Sequence, residues 1–179
     1  MGLFDKLFGK SAKKSGYSYI AEIAGLTAPD SGISELLSSA FAEPYEYFIK
    51  VEYRFDRRGI VIGMVDNETM FWISMIDELA AKDYVFEAES GCGLERFSAA
   101  LKRMKSYDMI KDAVSAVDLD ENGTVENWCG DINRALEGKA SLCRFDINSD
   151  SIPLITVSGD ILPQIQKLAA DHDHRIEKL

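Results

Sequence analysis

Apolar positions recur along this chain at two different spacings, and the spacing decides which element each segment predicts. In "ISELLSSAFAE", Ile33, Leu36, Leu37, Ala40 and Phe41 share one helical face, and Pro44 stops the run. "ETMFWISMIDELAAKD" repeats the pattern through Trp72, Met75, Ile76 and Leu79, with Asp66 or Asn67 placed to cap it. On the same grounds "LERFSAALKRM", "VENWCGDINRALEG" with Gly138 as its stop, and "GDILPQIQKLAADHD" with Pro163 in its first turn are helices. "YEYFIKVEYRF", from Tyr45 to Phe55, is instead rich in aromatic and β-branched residues, and after the turn "DRRG" the run "IVIGMVD" predicts its partner in a hairpin. As a strand it sets Tyr45, Tyr47, Tyr53 and Phe55 on one side, against Glu46, Phe48, Lys50 and Glu52 on the other. One side is then core, although aromatic strand faces also bind peptides. "YVFEAE", "ASLCRFD", "SIPLITV" and a short final "HRIEKL" are further strands, with "INSD" as a turn, while "YSYIAEIAG" and "DMIKDAVSAVD" suit helix or strand.

Laid side by side, residues 17-90 and 108-179 follow one order: short apolar segment, helix, hairpin, helix, strand, with a connecting helix over 91-107. Arg54-Phe55-Asp56 and Arg144-Phe145-Asp146 lead into the two hairpin turns at an offset of about 90 residues. If Tyr19 to Ala24 and Ala113 to Asp118 are strands, each half spells β-α-β-β-α-β, the ferredoxin-like order. The expected class is therefore α+β, with antiparallel sheets covered by helices on one face, either as two tandem ferredoxin-like halves or as a single domain whose halves look alike.

Composition narrows the setting. A hydrophobic content of 46% is that of a globular chain with a core. No apolar run approaches the roughly 20 residues that cross a bilayer, and "MGLFDKLFGK" lacks the features of a secretory signal, so a soluble cytoplasmic protein is expected. Cys92, Cys129 and Cys143 show no metal-ligand spacing and read as free thiols in a reducing compartment. The net charge of -10 is spread along the chain and repels nucleic acid and anionic surfaces. Residues 1-16 depart from it, with Lys6, Lys10, Lys13 and Lys14 against Asp5, and Leu3, Phe4, Leu7 and Phe8 on one helical face. Such a segment is either a frayed tail with a linker or, over residues 1-14, a weak peripheral membrane contact.

Three stretches carry candidate chemistry. In "VDLDENGTVENW", Asp118, Asp120, Asn122, Gly123, Val125 and Glu126 match the first nine positions of a calcium loop, but the twelfth is Cys129, which supplies no bidentate oxygen. The same letters make a turn, with Asn122 or Thr124 capping the next helix. In "ESGCGLERF", Cys92 precedes a helix, where amide dipoles lower a thiol pKa, so it is a candidate nucleophile or a structural cysteine. In "DHDH", Asp171 to His174 bring two imidazoles and two carboxylates together, as a polar turn or as metal ligands. No Walker loop, dinucleotide fingerprint, GxSxG or HExxH occurs.

From about Thr124 onward, "LCRFDINSDSIPLITV" and its flanks resemble the C-terminal signature of a family of small, uncharacterised bacterial cytoplasmic proteins, in which a helix precedes a strand, an Asp-containing turn and a second strand. Asp146, Ser149 and Asp150 carry the resemblance, while Ile152-Pro153 stands where that signature has an aromatic. The resemblance implies a bacterial, cytoplasmic protein and no activity. The reading that follows is a non-enzymatic, acidic cytoplasmic module that binds or regulates a protein partner; the alternative is an enzyme or small-ligand binder built around Cys92.

Overall fold

The computed structural model describes residues 16-89 and 91-179. Nine helices and four strands make up its α+β architecture among those residues. Five helices come first: α1 (Ser18–Thr27), α2 (Ile33–Ala40), α3 (Pro44–Lys50), α4 (Glu52–Arg57) and α5 (Asn67–Ala81). Strand β1 (Val85–Ala88) follows, then α6 (Leu94–Arg103), α7 (Lys111–Ala116) and α8 (Val125–Ala135). The chain closes with β2 (Ala140–Phe145), β3 (Ile152–Ser158), α9 (Leu162–Ala170) and β4 (Ile176–Lys178).

The elements after residue 120 form where the sequence places them. Thr124 caps α8 by accepting the Asn127 amide while Asn127 reaches back to the Thr124 amide, a reciprocal capping box. Gly138, at φ +81°, sits in the left-handed region just beyond the helix. Asp66, of the two candidates, caps α5 and accepts the Thr69 amide at 2.9 Å.

The first half is different. The expected hairpin over Tyr45 to Asp66 is two short helices and a loop, with one isolated bridge between Ile62 and Val65. Pro44 does not only end α2: it is the first residue of α3, a position where its fixed φ favours a helix. Phe48, Val51 and Phe55 then recur at helical spacing and are all buried. That shared face outweighs the β propensity of the aromatics, which reflects fit to a half-buried surface rather than a backbone preference. "YSYIAEIAG" is the helix α1, and "DMIKDAVSAVD" is a 3-10 turn at Tyr107–Met109 leading into α7. No repeated β-α-β-β-α-β unit results, because five helices and one strand fill residues 17-90. The order strand, helices, two strands, helix, strand runs once, from β1 to β4.

A single four-stranded antiparallel sheet, ordered β1-β3-β2-β4, joins the two regions, with Val85 opposite Ile155 and Cys143 opposite both Ile155 and Lys178. Its cover is not one-sided. Val85, Cys143, Phe145, Ile155, Val157 and Ile176 face a core shared with α1 to α5 and α9. Ala88, Ala140, Leu142, Ile152 and Leu154 face a second core shared with α6, α7 and α8. Successive strand residues point to opposite faces, so helices on both sides account for the nearly continuous burial of β2 and β3.

Polar groups lock the layers. The buried Asn133 of α8 donates to the Leu142 carbonyl and accepts the Leu142 amide, both at 2.8 Å. It also donates to the Leu179 carbonyl at 2.5 Å. Arg58, just after α4, grips Glu87 of β1 with two bonds of 2.7 Å and Asp77 of α5 with one of 2.6 Å. No described helix is long and apolar enough to cross a membrane.

Candidate functional site

The N-terminal end of α5, the β2–β3 turn and the α9–β4 turn converge on a cleft of about 360 Å³. Each wall is fixed by local chemistry. Asp66 and Glu68 are presented by the capped first turn of α5. Asp146 starts the β2–β3 turn, where its carboxylate accepts the Asn148 amide at 2.9 Å and the Arg175 guanidinium at 2.5 and 3.0 Å. The α9–β4 turn is held by the Ala169 carbonyl, which accepts the amides of both His172 and His174 at 3.0 Å. Asp173 between them takes φ +59°, the conformation Asp and Asn tolerate best after glycine, and this sends the imidazoles of residues 172 and 174 to the same wall.

Both imidazoles lie flat on aromatic rings. His172 stacks on Tyr19 of α1 at 3.7 Å and His174 on Trp72 of α5 at 4.3 Å, each 6° from parallel. The ring partners are themselves pinned. Tyr19 donates its hydroxyl to Glu68 Oε1 at 2.8 Å, and the Trp72 indole donates to the Asp146 carbonyl at 3.0 Å. His172 Nδ1 lies 3.6 Å from the same Glu68 oxygen.

The electrostatics follow from these contacts. Burial against Trp72 pushes the His174 imidazolium pKa below its ordinary value, although Glu68 and Asp66 pull the other way. His174 is therefore a neutral imidazole at pH 7. The Thr69 amide holds the Asp66 carboxyl below the usual range, and the Asn148 amide followed by Arg175 does the same for Asp146. The Tyr19 hydroxyl is driven strongly upward by burial and by Glu68, which keeps it a donor. Asp66, Glu68, Asp146 and Asp173 line the cleft with the two histidines, and its lining among the described residues includes no Lys or Arg. Such a cavity suits a cationic group in size and sign.

The other sequence candidates lie elsewhere. Cys92 is buried on the opposite face of the sheet, just before the first turn of α6, with its sulfur 3.7 Å from the Gly93 carbonyl. Burial there raises its thiol pKa, and Glu89 adds to the effect against Arg96, so the helix dipole does not prevail. Cys129 and Cys143 are buried and free, and burial pushes Cys143 up to about 12. In the 118-126 loop Asp118, Asp120, Asn122 and Glu126 are all exposed. The Asp120 carboxylate accepts the Asn122 amide at 3.0 Å and its carbonyl accepts the Trp128 indole at 2.7 Å. A Cβ on Gly123 would come within 2.5 Å of that indole nitrogen, so glycine is required by the packing of the turn. Among the described residues no three His, Cys, Asp or Glu side chains gather into a metal-holding group. The basic stretch 1-14 lies outside the described residues.

The "DHDH" run signalled part of the cleft, but its partners did not stand out, since Tyr19 falls in a short apolar segment, Trp72 on the apolar face of its helix, and Asp66 reads as a cap. At the turn that carried the family resemblance, Asp146 anchors to Arg175 and Ser149 bonds Ser151, while Asp150 is exposed. Comparison with curated proteins and with solved structures yields no match. The family model described as a domain of unknown function (DUF6630) matches residues 19–179, and the chain belongs to that family.

Proposed function

We propose that the protein is a non-enzymatic, acidic cytoplasmic module that binds a basic segment of a protein partner, with a Lys or Arg side chain entering the cleft between α5 and the α9–β4 turn. The observation that carries this reading is the set of carboxylates at Asp66, Glu68 and Asp173 in a cleft without a Lys or Arg in its lining. Beyond the cleft the same sign prevails, with 29 acidic against 16 basic residues from Gly16 onward. A field of that kind speeds encounter with a cationic partner and rejects anionic ones. Neutral His174 and the protonated Tyr19 hydroxyl supply orienting groups rather than an activated nucleophile.

Trp72 provides the readout. Titrating an Arg- and Lys-rich decapeptide is expected to change its emission, with an affinity that weakens about tenfold or more as salt is raised from 50 to 200 mM. Glu68→Gln combined with Asp173→Asn should weaken binding by roughly tenfold, about 1.4 kcal/mol. Equal affinities for the variant and the parent would discard the cleft as the binding site.

A further inference from the structure

The loop that leads into α5 turns two apolar side chains toward solvent beside the cleft. Ile60, Ile62 and Val65 pack against the core beneath α1 to α5, whereas Val61 is 64% exposed and Met64, at 82%, is the most exposed large apolar residue among those described. A tight turn sets this pattern. The Val61 carbonyl accepts the Met64 amide at 3.0 Å, and Gly63 takes φ +86°, the left-handed value that favours glycine at the third position of such a turn. Closing the turn brings its first and last Cα atoms within about 7 Å, so the two exposed residues adjoin.

This apolar pair continues into the acidic wall of the cleft. Val65 is paired with Ile62 in a β-bridge and packs inward, so its neighbours Met64 and Asp66 both point outward. Asp66 lines the cleft together with Glu68 and Asp173. Residues two apart in an extended chain lie on one side, about 7 Å from each other. Such a pairing selects its occupant. A basic side chain finds carboxylates in the cleft, and an apolar one finds Met64, whose flexible thioether adapts to many shapes. An extended ligand repeats the same spacing when its apolar residue stands two positions from its basic one, whereas an apolar residue next to the basic one faces the other way.

We infer that the partner segment taken by the cleft carries a large apolar residue two positions from its Lys or Arg, and that Val61 and Met64 form the seat for that residue at the rim. Recognition by this seat rests on the cleft reading above and adds selectivity to it. Carboxylates attract any cation, whereas Val61 and Met64 sort basic segments by where their apolar residue stands.

Titrations of the full chain, followed by the Trp72 indole proton resonance, test this with three capped peptides. One carries Leu-Gly-Arg-Gly-Leu, the second its isomer Gly-Leu-Arg-Leu-Gly, and the third has serine in place of both leucines of the first. The spaced peptide should bind about fivefold more tightly than the other two, from partial burial of one leucine. In Val61→Ser/Met64→Ser that advantage should vanish while the serine peptide keeps its parental affinity, which also shows that the variant is folded. Equal affinities of the spaced and adjacent isomers for the parent, with binding still weakened by Glu68→Gln/Asp173→Asn, would overturn the seat and leave the cleft standing. So would an advantage of the spaced peptide that survives in the serine variant. If none of the three binds the parent, the cleft reading falls and the seat with it. A sedimentation coefficient that rises with concentration in the parent but not in the serine variant would assign the pair to contact with a second copy and equally overturn the seat.

Discussion

His174 shows how one side chain couples the cleft to pH. Stacked on Trp72 and faced by Glu68, Asp66, His172 and Asp173, it keeps a lowered pKa because burial costs the charged form more than the carboxylates return. The unfolded chain therefore takes up this proton at a higher pH than the folded protein does. Stability from the neutral imidazole is complete above its unfolded pKa of about 6.5 and is lost as pH falls through the lower, folded value. The urea midpoint should drop between pH 7.5 and 5.5, and His174→Phe, which keeps the stack, should flatten that drop. An equally steep fall in the variant would assign the dependence to another group. Asp66 and Asp146, both held low, act in the same direction, but only in the carboxylate range. The two histidines were legible in the sequence as a polar pair. Their stacking partners were not, because Tyr19 and Trp72 lie more than 100 positions earlier and obey the same apolar spacing as purely structural residues.

Among the elements, the contact between α4, α5 and β1 rests on Arg58. Its guanidinium bridges Asp77 and Glu87, and Ser151 adds a hydroxyl bond to Glu87 at 2.6 Å. The two carboxylates fare differently. Burial raises the Asp77 carboxyl despite Arg58, and Asp77 Oδ2 has no partner among the described residues. Burial also acts on Glu87, but Arg58 and Ser151 outweigh it and hold that carboxyl low. Arg58→Met should cost about 1.5–3 kcal/mol by chemical denaturation, because it removes charge-assisted hydrogen bonds from two partly buried acids. A loss under about 1 kcal/mol would mean that water reaches both. Packing against α5 also accounts for the helices that stand where the sequence predicts a hairpin. The stretch from Tyr45 to Phe55 carries both a two-residue alternation of aromatics and a helical spacing of Phe48, Val51 and Phe55. Which of them wins is decided by α5 and Glu78, far along the chain. Pro44 and the buried Phe48 were the local clues to a helix. After residue 120 the capping box, Gly138 and the Asp146 turn all agree with the tertiary structure, so pattern and fold coincide there.

At the scale of the whole molecule, two cores share one sheet. The sequence carried a sign of this in "IPLITV", which is apolar almost continuously rather than in alternation, as a strand covered on both faces should be. The pairing of β1 with β3, across more than 60 residues, had no local signature. Strand β4 pairs only with Cys143, Arg144 and Phe145, so β2 outlasts its outer neighbour. Where β4 stops, the Asn133 amide takes up both backbone groups of Leu142. A side chain from a helix, with the Leu179 amide at 3.3 Å from the same carbonyl, thus occupies the stretch of β2 that extends past β4, the kind of open edge at which another chain's strand adds. Asn133→Ala should reopen that edge as well as lower stability by about 2 kcal/mol. On mild heating it should convert to thioflavin-positive aggregates sooner than a variant destabilised equally at Ile165 in the other core. Matching rates for the two would attribute aggregation to unfolding alone and leave the amide a purely structural role.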